Sequence, residues 1–217
     1  MTAHPYDPLT EPETEQAVAA VRQARPELTA PRFPLIRTAP PAKAAVRDYD
    51  PADPPARQAF LVVYDREPGA TSGATFEAIV DLQAGKVTSW RHIPGVQPAI
   101  MIEEIMALDE IVRNDPAAVA ALRRHGVTDL ELLQIDPWST GTLPVEGVDV
   151  RRRIVRASAY VRRFREDNGY ARPVGNLVFV IDCDDRKVAA IIDGEPVPLP
   201  PEDGNYDAAT VGTLRRS

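Results

Sequence analysis

The segment Ile79-Val80-Asp81-Leu82-Gln83-Ala84-Gly85-Lys86-Val87 returns about a hundred residues later as Val180-Ile181-Asp182-Cys183-Asp184-Asp185-Arg186-Lys187-Val188. In each copy an apolar run ends at Asp, four residues intervene, and Lys-Val restarts an apolar run. That is how a tight antiparallel hairpin reads. The chain is therefore expected to hold two copies of one structural unit, one in each half.

The order of elements around the hairpins repeats as well. In the first half, Thr10-Glu11-Pro12-Glu13 fits a helix start, with Thr10 as cap and Glu13 placed to close a capping box. Ala17, Val18, Val21 and Ala24 then share a face until Pro26 stops the helix. Strand-like pieces follow at 33–38 and 43–49, divided by Pro40-Pro41, and 50–55 reads as an exposed proline-rich loop. Longer strands are expected at 58–66 and 75–82, with 86–92 returning from the hairpin.

Residues 93–98, with Pro94, Gly95 and Pro98, break the pattern. In the second half Met101, Ile105, Leu108 and Val112 lie three to four apart on one helical face. Asp115-Pro116 reads as a cap and first helical residue, Val119 and Leu122 carry the next stripe, and Gly126 ends it. Strands are expected at 129–135, 153–164, 177–182 and 187–192.

Helix before sheet in both halves predicts an α+β fold: two similar modules, each with a helix packed on an antiparallel sheet. Their expected extents are 1–95 and 96–200. Pro196, Pro198, Pro200 and Pro201 interrupt any strand ladder, so 201–217 is expected to be an exit segment. The 217 residues, 44% hydrophobic, suffice for two cores of ordinary size.

Composition also narrows the partners. A formal net charge of -7 argues against a nucleic-acid partner. The best apolar runs, 59–64 and 177–181, are far short of the roughly 20 residues that cross a bilayer. The first residues lack the basic start and apolar stretch of a secretory signal, so the cytoplasm is the expected location. Cys183, the single cysteine, cannot form an intrachain disulfide, and no basic pattern nearby marks it as reactive.

His4, His92 and His125 form no His-x-His or His-x-x-x-His pair, which makes them surface or satisfied histidines rather than metal ligands. Asp182, Asp184 and Asp185 are better read as a solvated turn than as a calcium loop, because Lys187 occupies the place of the sharp-turn glycine. Arginines cluster at 151–153, 156, 162, 163 and 165. Val155, Ala157, Ala159 and Val161 alternate with Arg156, Ser158, Tyr160 and Arg162, so one face is expected to be buried and the other solvated. Cys-x-x-Cys, a glycine-rich phosphate loop and a Gly-x-Ser-x-Gly elbow are all missing from the sequence.

Trp138 lies in Asp136-Pro137-Trp138-Ser139-Thr140-Gly141, a loop signature, and Tyr170 follows the turn Asp167-Asn168-Gly169. An aromatic in such a place either walls a channel or pins the loop to the core.

These two segments continue into a recognisable pattern. Together with Tyr170-Ala171-Arg172-Pro173-Val174-Gly175, the stretch Pro200-Pro201-Glu202-Asp203-Gly204-Asn205-Tyr206-Asp207 and the opening His4-Pro5-Tyr6-Asp7-Pro8-Leu9-Thr10, the Asp136–Gly141 segment resembles the copper-containing primary amine oxidases. The likeness runs over essentially the whole chain and concerns the second and third N-terminal domains. It implies two cystatin-like α+β modules that accompany a C-terminal catalytic β-sandwich, in cis or in trans, within a homodimer.

The activity implied is oxidative deamination of primary amines to aldehyde, ammonia and hydrogen peroxide. Copper and topaquinone are implied for the full-length family, and no catalytic or metal residue is expected in this chain, which the resemblance casts as a truncated, inactive accessory region. Asn205-Tyr206-Asp207 spells the centre of the quinone motif, but Glu202 stands where its threonine belongs. By motif position the resemblance makes Trp138 and Tyr170, and with them Ile105, substrate-channel residues. A free-standing interaction module that assembles with a separate catalytic chain is the alternative. A cystatin-like protease inhibitor is a weak third reading, since the Gln-x-Val-x-Gly loop is missing.

Overall fold

The computed structural model describes residues 4, 6–50, 52–140, 144–201 and 208. The chain divides into two compact units, Met1–Ala99 and Ile100–Ser217. In the first, α1 (Glu11–Ala24) opens with the expected capping box: Thr10 Oγ1 accepts from Glu13 N, and Glu13 Oε2 accepts from Thr10 N at 2.9 Å. Its buried residues Ala17, Ala20 and Val21 cover Leu61, Val63, Ala78 and Val80 of a four-stranded sheet.

That sheet is an antiparallel meander, β1 (Arg32–Ala39), β2 (Gln58–Asp65), β3 (Ala74–Asp81) and β4 (Lys86–His92), in sequential order. The piece expected as a strand at 43–49 is instead a short helix, α2 (Lys43–Arg47). Lys-Ala-Ala-Val-Arg is made largely of good helix formers, which favours the helix there.

The second unit repeats the plan. Helices α3 (Ile102–Asn114) and α4 (Pro116–Arg124) bury Leu108, Ile111, Val112, Ala118 and Leu122 against the sheet β5 (Leu133–Ser139), β6 (Ile154–Val161), β7 (Pro173–Asp182) and β8 (Lys187–Asp193). Asp115 Oδ1 accepts from Ala118 N at 2.8 Å and starts α4. Gly126 ends this segment at φ +87°, a left-handed conformation that favours glycine. Each unit thus pairs helix with antiparallel sheet, the α+β class.

The hairpins correspond in detail. Asp81 pairs with Lys86 and Asp182 with Lys187. Asp81 Oδ1 accepts from Ala84 N at 2.9 Å; Asp182 Oδ1 accepts from Asp184 N at 3.1 Å and from Asp185 N at 2.9 Å. The residue before each lysine is left-handed, Gly85 at φ 61° and Arg186 at φ 51°. A register shift follows in both, at Ile79/Val80 and at Val180/Ile181.

Three sequence expectations are corrected in the second unit. Asp182 is buried rather than solvated, because its carboxylate is bound by the turn amides and by Arg152. Arg153 does not lie on a solvated face; it is buried against Glu104 of α3. Residues 130–132 form a 3-10 turn capped by Asp129, so β5 begins later and extends through Ser139. Trp138 therefore stands in a strand. Because β5 is an edge of the sheet, Pro137 costs no ladder bond that a central strand would need.

Candidate functional site

The alternation of β5 buries Leu133 and Ile135 and turns Gln134, Asp136 and Trp138 to the opposite face. On β6 Val155, Ala157, Ala159 and Val161 are buried on one face, as the alternation predicts; on the other face Arg156, Ser158 and Tyr160, and Arg162 just beyond the strand, are half-buried, and Ile154 is buried with Val145 and Val180. Register places Gln134 beside Tyr160, Asp136 beside Ser158 and Trp138 beside Arg156. The outward face of this strand pair thus carries an aromatic at each end with a carboxylate between them.

A third aromatic arrives from the 3-10 turn Gly169–Ala171, started by Asn168 Oδ1, which accepts from Tyr170 N at 3.2 Å. A Cβ at Gly169 would come within 2.5 Å of Gln134 Oε1, so the missing side chain lets this turn lie on β5. Tyr170 then donates its hydroxyl to Asp136 Oδ1 at 3.3 Å, and its ring meets Tyr160 edge-on at 5.1 Å. Loss of solvation first, then the Asp136 charge and hydrogen bond, hold the Tyr170 phenol above its usual range. Trp138 and Tyr170 remain open to solvent, at 62% and 51% exposure.

Trp138 and Tyr170 therefore share one sheet face through Asp136. Ile105 is on α3, on the helical side of the unit. Sequence spacing puts it with Met101, Leu108 and Val112, but those three are buried while Ile105 is 37% exposed, and Glu104 is the buried residue of that turn. Glu104 bonds Arg153 just before β6, whose first residues pair with Ser139 and Trp138. Ile105 and Trp138 accordingly lie towards the same end of the unit. Ile102 and Met106 next to Ile105 are exposed as well.

Sequence reasoning missed Asp136 and Tyr160 as part of this surface. The signal is the period-two alternation Gln134, Asp136, Trp138, which the loop signature of 136–141 obscures. Elsewhere, Cys183 is buried, and burial followed by the Glu104 charge pushes its thiol up to about 12. His125 is buried with Nε2 2.8 Å from Asp193 Oδ1, His92 lies beside the Phe76 ring and His4 beside Tyr49. Asn205, Tyr206 and Asp207, and most of the expected exit segment, lie outside the described residues.

Two domain models of one family match the chain: the copper amine oxidase N2 domain over residues 4–93 and the copper amine oxidase N3 domain over residues 103–210. The chain belongs to the copper amine oxidase family. A primary amine oxidase of Arthrobacter sp. (strain P1) is 34% identical over 214 residues, 98% of this chain and 32% of that protein. A peroxisomal copper-containing diamine oxidase of Nicotiana tabacum is 32% identical over 254 residues, covering 100% of this chain and 32% of its own length.

Among solved structures, a copper-containing benzylamine oxidase from Hansenula polymorpha superimposes with a TM-score of 0.68 at 20% identity, over 94% of this chain and 32% of that one. That likeness concerns the fold. The chain spans about a third of the length of these amine oxidases.

Copper is implied by the family name, and the described residues do not fit it. No three His, Cys, Asp or Glu side chains among them are grouped to hold a metal ion. His125 is engaged by Asp193, His4 precedes α1 and His92 ends β4.

Proposed function

We propose that this chain is the accessory, non-catalytic N-terminal region of a copper and topaquinone primary-amine oxidase. The observation that carries the reading is the succession of N2 and N3 matches, 4–93 and then 103–210, in one continuous chain. In this reading the domains extend over 1–95 and 96–200, each is a cystatin-like module, and 201–217 leads towards a catalytic β-sandwich. Amine turnover belongs to that sandwich, in a cytoplasmic enzyme that is a homodimer as in the family.

Within this arrangement Trp138, Tyr170 and Ile105 line the path by which an amine reaches the catalytic domain. Their exposure supports this, since large apolar side chains left open on a compact unit mark surfaces that meet something else. The same exposed residues equally suit a catalytic chain encoded separately and bound in trans, which is the second reading.

Two measurements test the proposal. The purified chain given copper and benzylamine should produce no hydrogen peroxide; turnover by the chain alone would overturn it. Co-expression with the catalytic part of the Arthrobacter relative should give a complex that co-elutes, and in that complex Trp138→Ala with Tyr170→Ala should change the preference between small and bulky amines. Unchanged preference would remove the channel role.

A further inference from the structure

We propose that Arg172 is a receptor for a carboxylate presented at the β6–β7 connection of the second unit. The inference rests on the accessory-domain reading for the source of that carboxylate, an acidic side chain of the catalytic part. The receptor itself follows from the guanidinium and its surroundings.

Arg172 lies between the Gly169–Ala171 turn and β7, and its backbone is fixed on both sides. Its N–H donates to the Gly169 carbonyl at 3.0 Å, its carbonyl accepts from Val161 N at 3.0 Å, and Pro173 keeps it out of the helical region. The side chain has no such support. Nε and Nη1 are enclosed by the protein without a hydrogen-bond partner, and the guanidinium forms no ion pair among the described residues. A guanidinium stays charged at every ordinary pH, so loss of a proton cannot relieve it. The other enclosed and unsatisfied arginine nitrogens belong to side chains that are anchored elsewhere. Arg25 stacks on the Trp90 ring at 4.8 Å, Arg113 gives Nη1 to Glu131 Oε1 at 3.2 Å, and Arg156 gives Nη2 to the Pro144 carbonyl at 3.3 Å. Among the described residues Arg172 alone combines two orphaned nitrogens with no anchor.

The surroundings select an anion from a protein. Residues 160–175 hold Arg162, Arg163, Arg165 and Arg172 against Glu166 and Asp167, a positive stretch in a chain of net charge -7. Asp167 is committed to the backbone: Oδ1 accepts from Asn168 N at 2.9 Å and Oδ2 from Arg163 N at 2.8 Å. Arg162 gives Nη2 to Gln134 Oε1 at 2.8 Å, so it does not compete for a ligand of Arg172. The planar fork of a guanidinium matches the two oxygens of a carboxylate. Phe164 and Tyr170, on the same connection, are exposed, and aromatic side chains beside arginine are the residues in which protein interfaces are enriched.

The test begins with the purified chain. Because the enclosed guanidinium is unpaired there, Arg172→Met should raise the urea midpoint rather than lower it, with an unchanged circular dichroism spectrum. Sodium acetate, compared with sodium chloride at equal ionic strength, should shift the Arg172 Nε–H NMR signal saturably, with a dissociation constant on the order of 10 mM. That signal is assigned by its loss in Arg172→Met. Arg172→Lys keeps the charge and loses the fork, so it should weaken acetate binding, read from the rise in urea midpoint, about threefold. In the complex with the catalytic part of the Arthrobacter relative, Arg172→Met should weaken assembly about tenfold.

A lower urea midpoint in Arg172→Met, or an acetate shift matched by chloride, would overturn the proposal. Assembly indifferent to Arg172→Met, with acetate still bound by the parent chain, would overturn the assignment of the carboxylate to the catalytic part. Assembly without acetate binding at Arg172 would leave the accessory reading standing and remove this site. Acetate binding lost in Arg172→Met, with no assembly by the parent chain, would do the reverse.

Discussion

Glu104 and Arg153 form a two-pronged ion pair in the second unit, Nη2 to Oε2 at 2.7 Å and Nε to Oε1 at 2.9 Å, with side chains only 2% and 5% exposed. Glu104 Oε2 also accepts from Met101 N at 2.8 Å, so one carboxylate both starts α3 and ties it to the residue before β6. Removing one partner strands a buried charge. Arg153→Ala or Glu104→Ala should each cost about 3–5 kcal/mol, read from urea unfolding of the chain. Replacing both at once, Glu104→Leu with Arg153→Met, should restore most of that loss. If it does not, the pair holds the helix start by more than charge compensation.

The two hairpins give an internal control on backbone strain. Gly85 and Arg186 occupy the same left-handed position, which disfavours any residue with a Cβ. Arg186→Gly should stabilise the second unit by about 1 kcal/mol. The exposed contact of Arg186 with Glu110 at 3.2 Å is worth too little to offset this. Gly85→Ala should destabilise the first unit by a similar amount. A stability change of the opposite sign at either position would mean that the side chain, not the backbone, governs that turn.

The hairpins and helix starts were legible in the sequence because their determinants are local: Asp before a turn, Thr10 with Glu13, Asp115 with Pro116. What escaped depends on contacts between distant elements. Nothing in Arg151-Arg152-Arg153 distinguishes the exposed Arg151 from the buried Arg153, because the difference lies in α3 some fifty residues earlier. Trp138 was named from a motif, but its neighbours on the surface were not. Those neighbours follow from strand register and from the docking of the Gly169–Ala171 turn, which no local pattern encodes. The short helix α2 is the opposite case: its determinant, the helix propensity of Lys43–Arg47, is local, and the strand-like reading of 43–49 overlooks it.

The Cys183 thiol should serve as a reporter of unfolding. Burial pushes it up to about 12, so at pH 8 it holds roughly a thousandfold less thiolate than a thiol at the ordinary value of 9. Iodoacetamide should label the native chain slowly and the urea-unfolded chain quickly, by mass spectrometry. Rapid labelling of the native chain would show that the end of β7 opens without global unfolding.

Acid should weaken the first unit through Glu13. Arg57 gives Nε to Glu13 Oε1 at 2.7 Å and Nη2 to Oε2 at 3.0 Å, while Nη1 binds the His4 carbonyl at 2.7 Å. The Arg57 hydrogen bonds dominate and lower the Glu13 carboxyl from 4.5 to about 2, against an opposing burial effect. A folded-state pKa below the unfolded value means that the unfolded chain takes up the proton first. The stabilisation is therefore complete above about pH 4.5 and lost progressively as the pH falls towards 2. In urea midpoints measured from pH 6 to pH 2, Glu13→Gln should start lower than the parent chain and decline less steeply across that window. Parallel curves would place the acid sensitivity in other carboxylates.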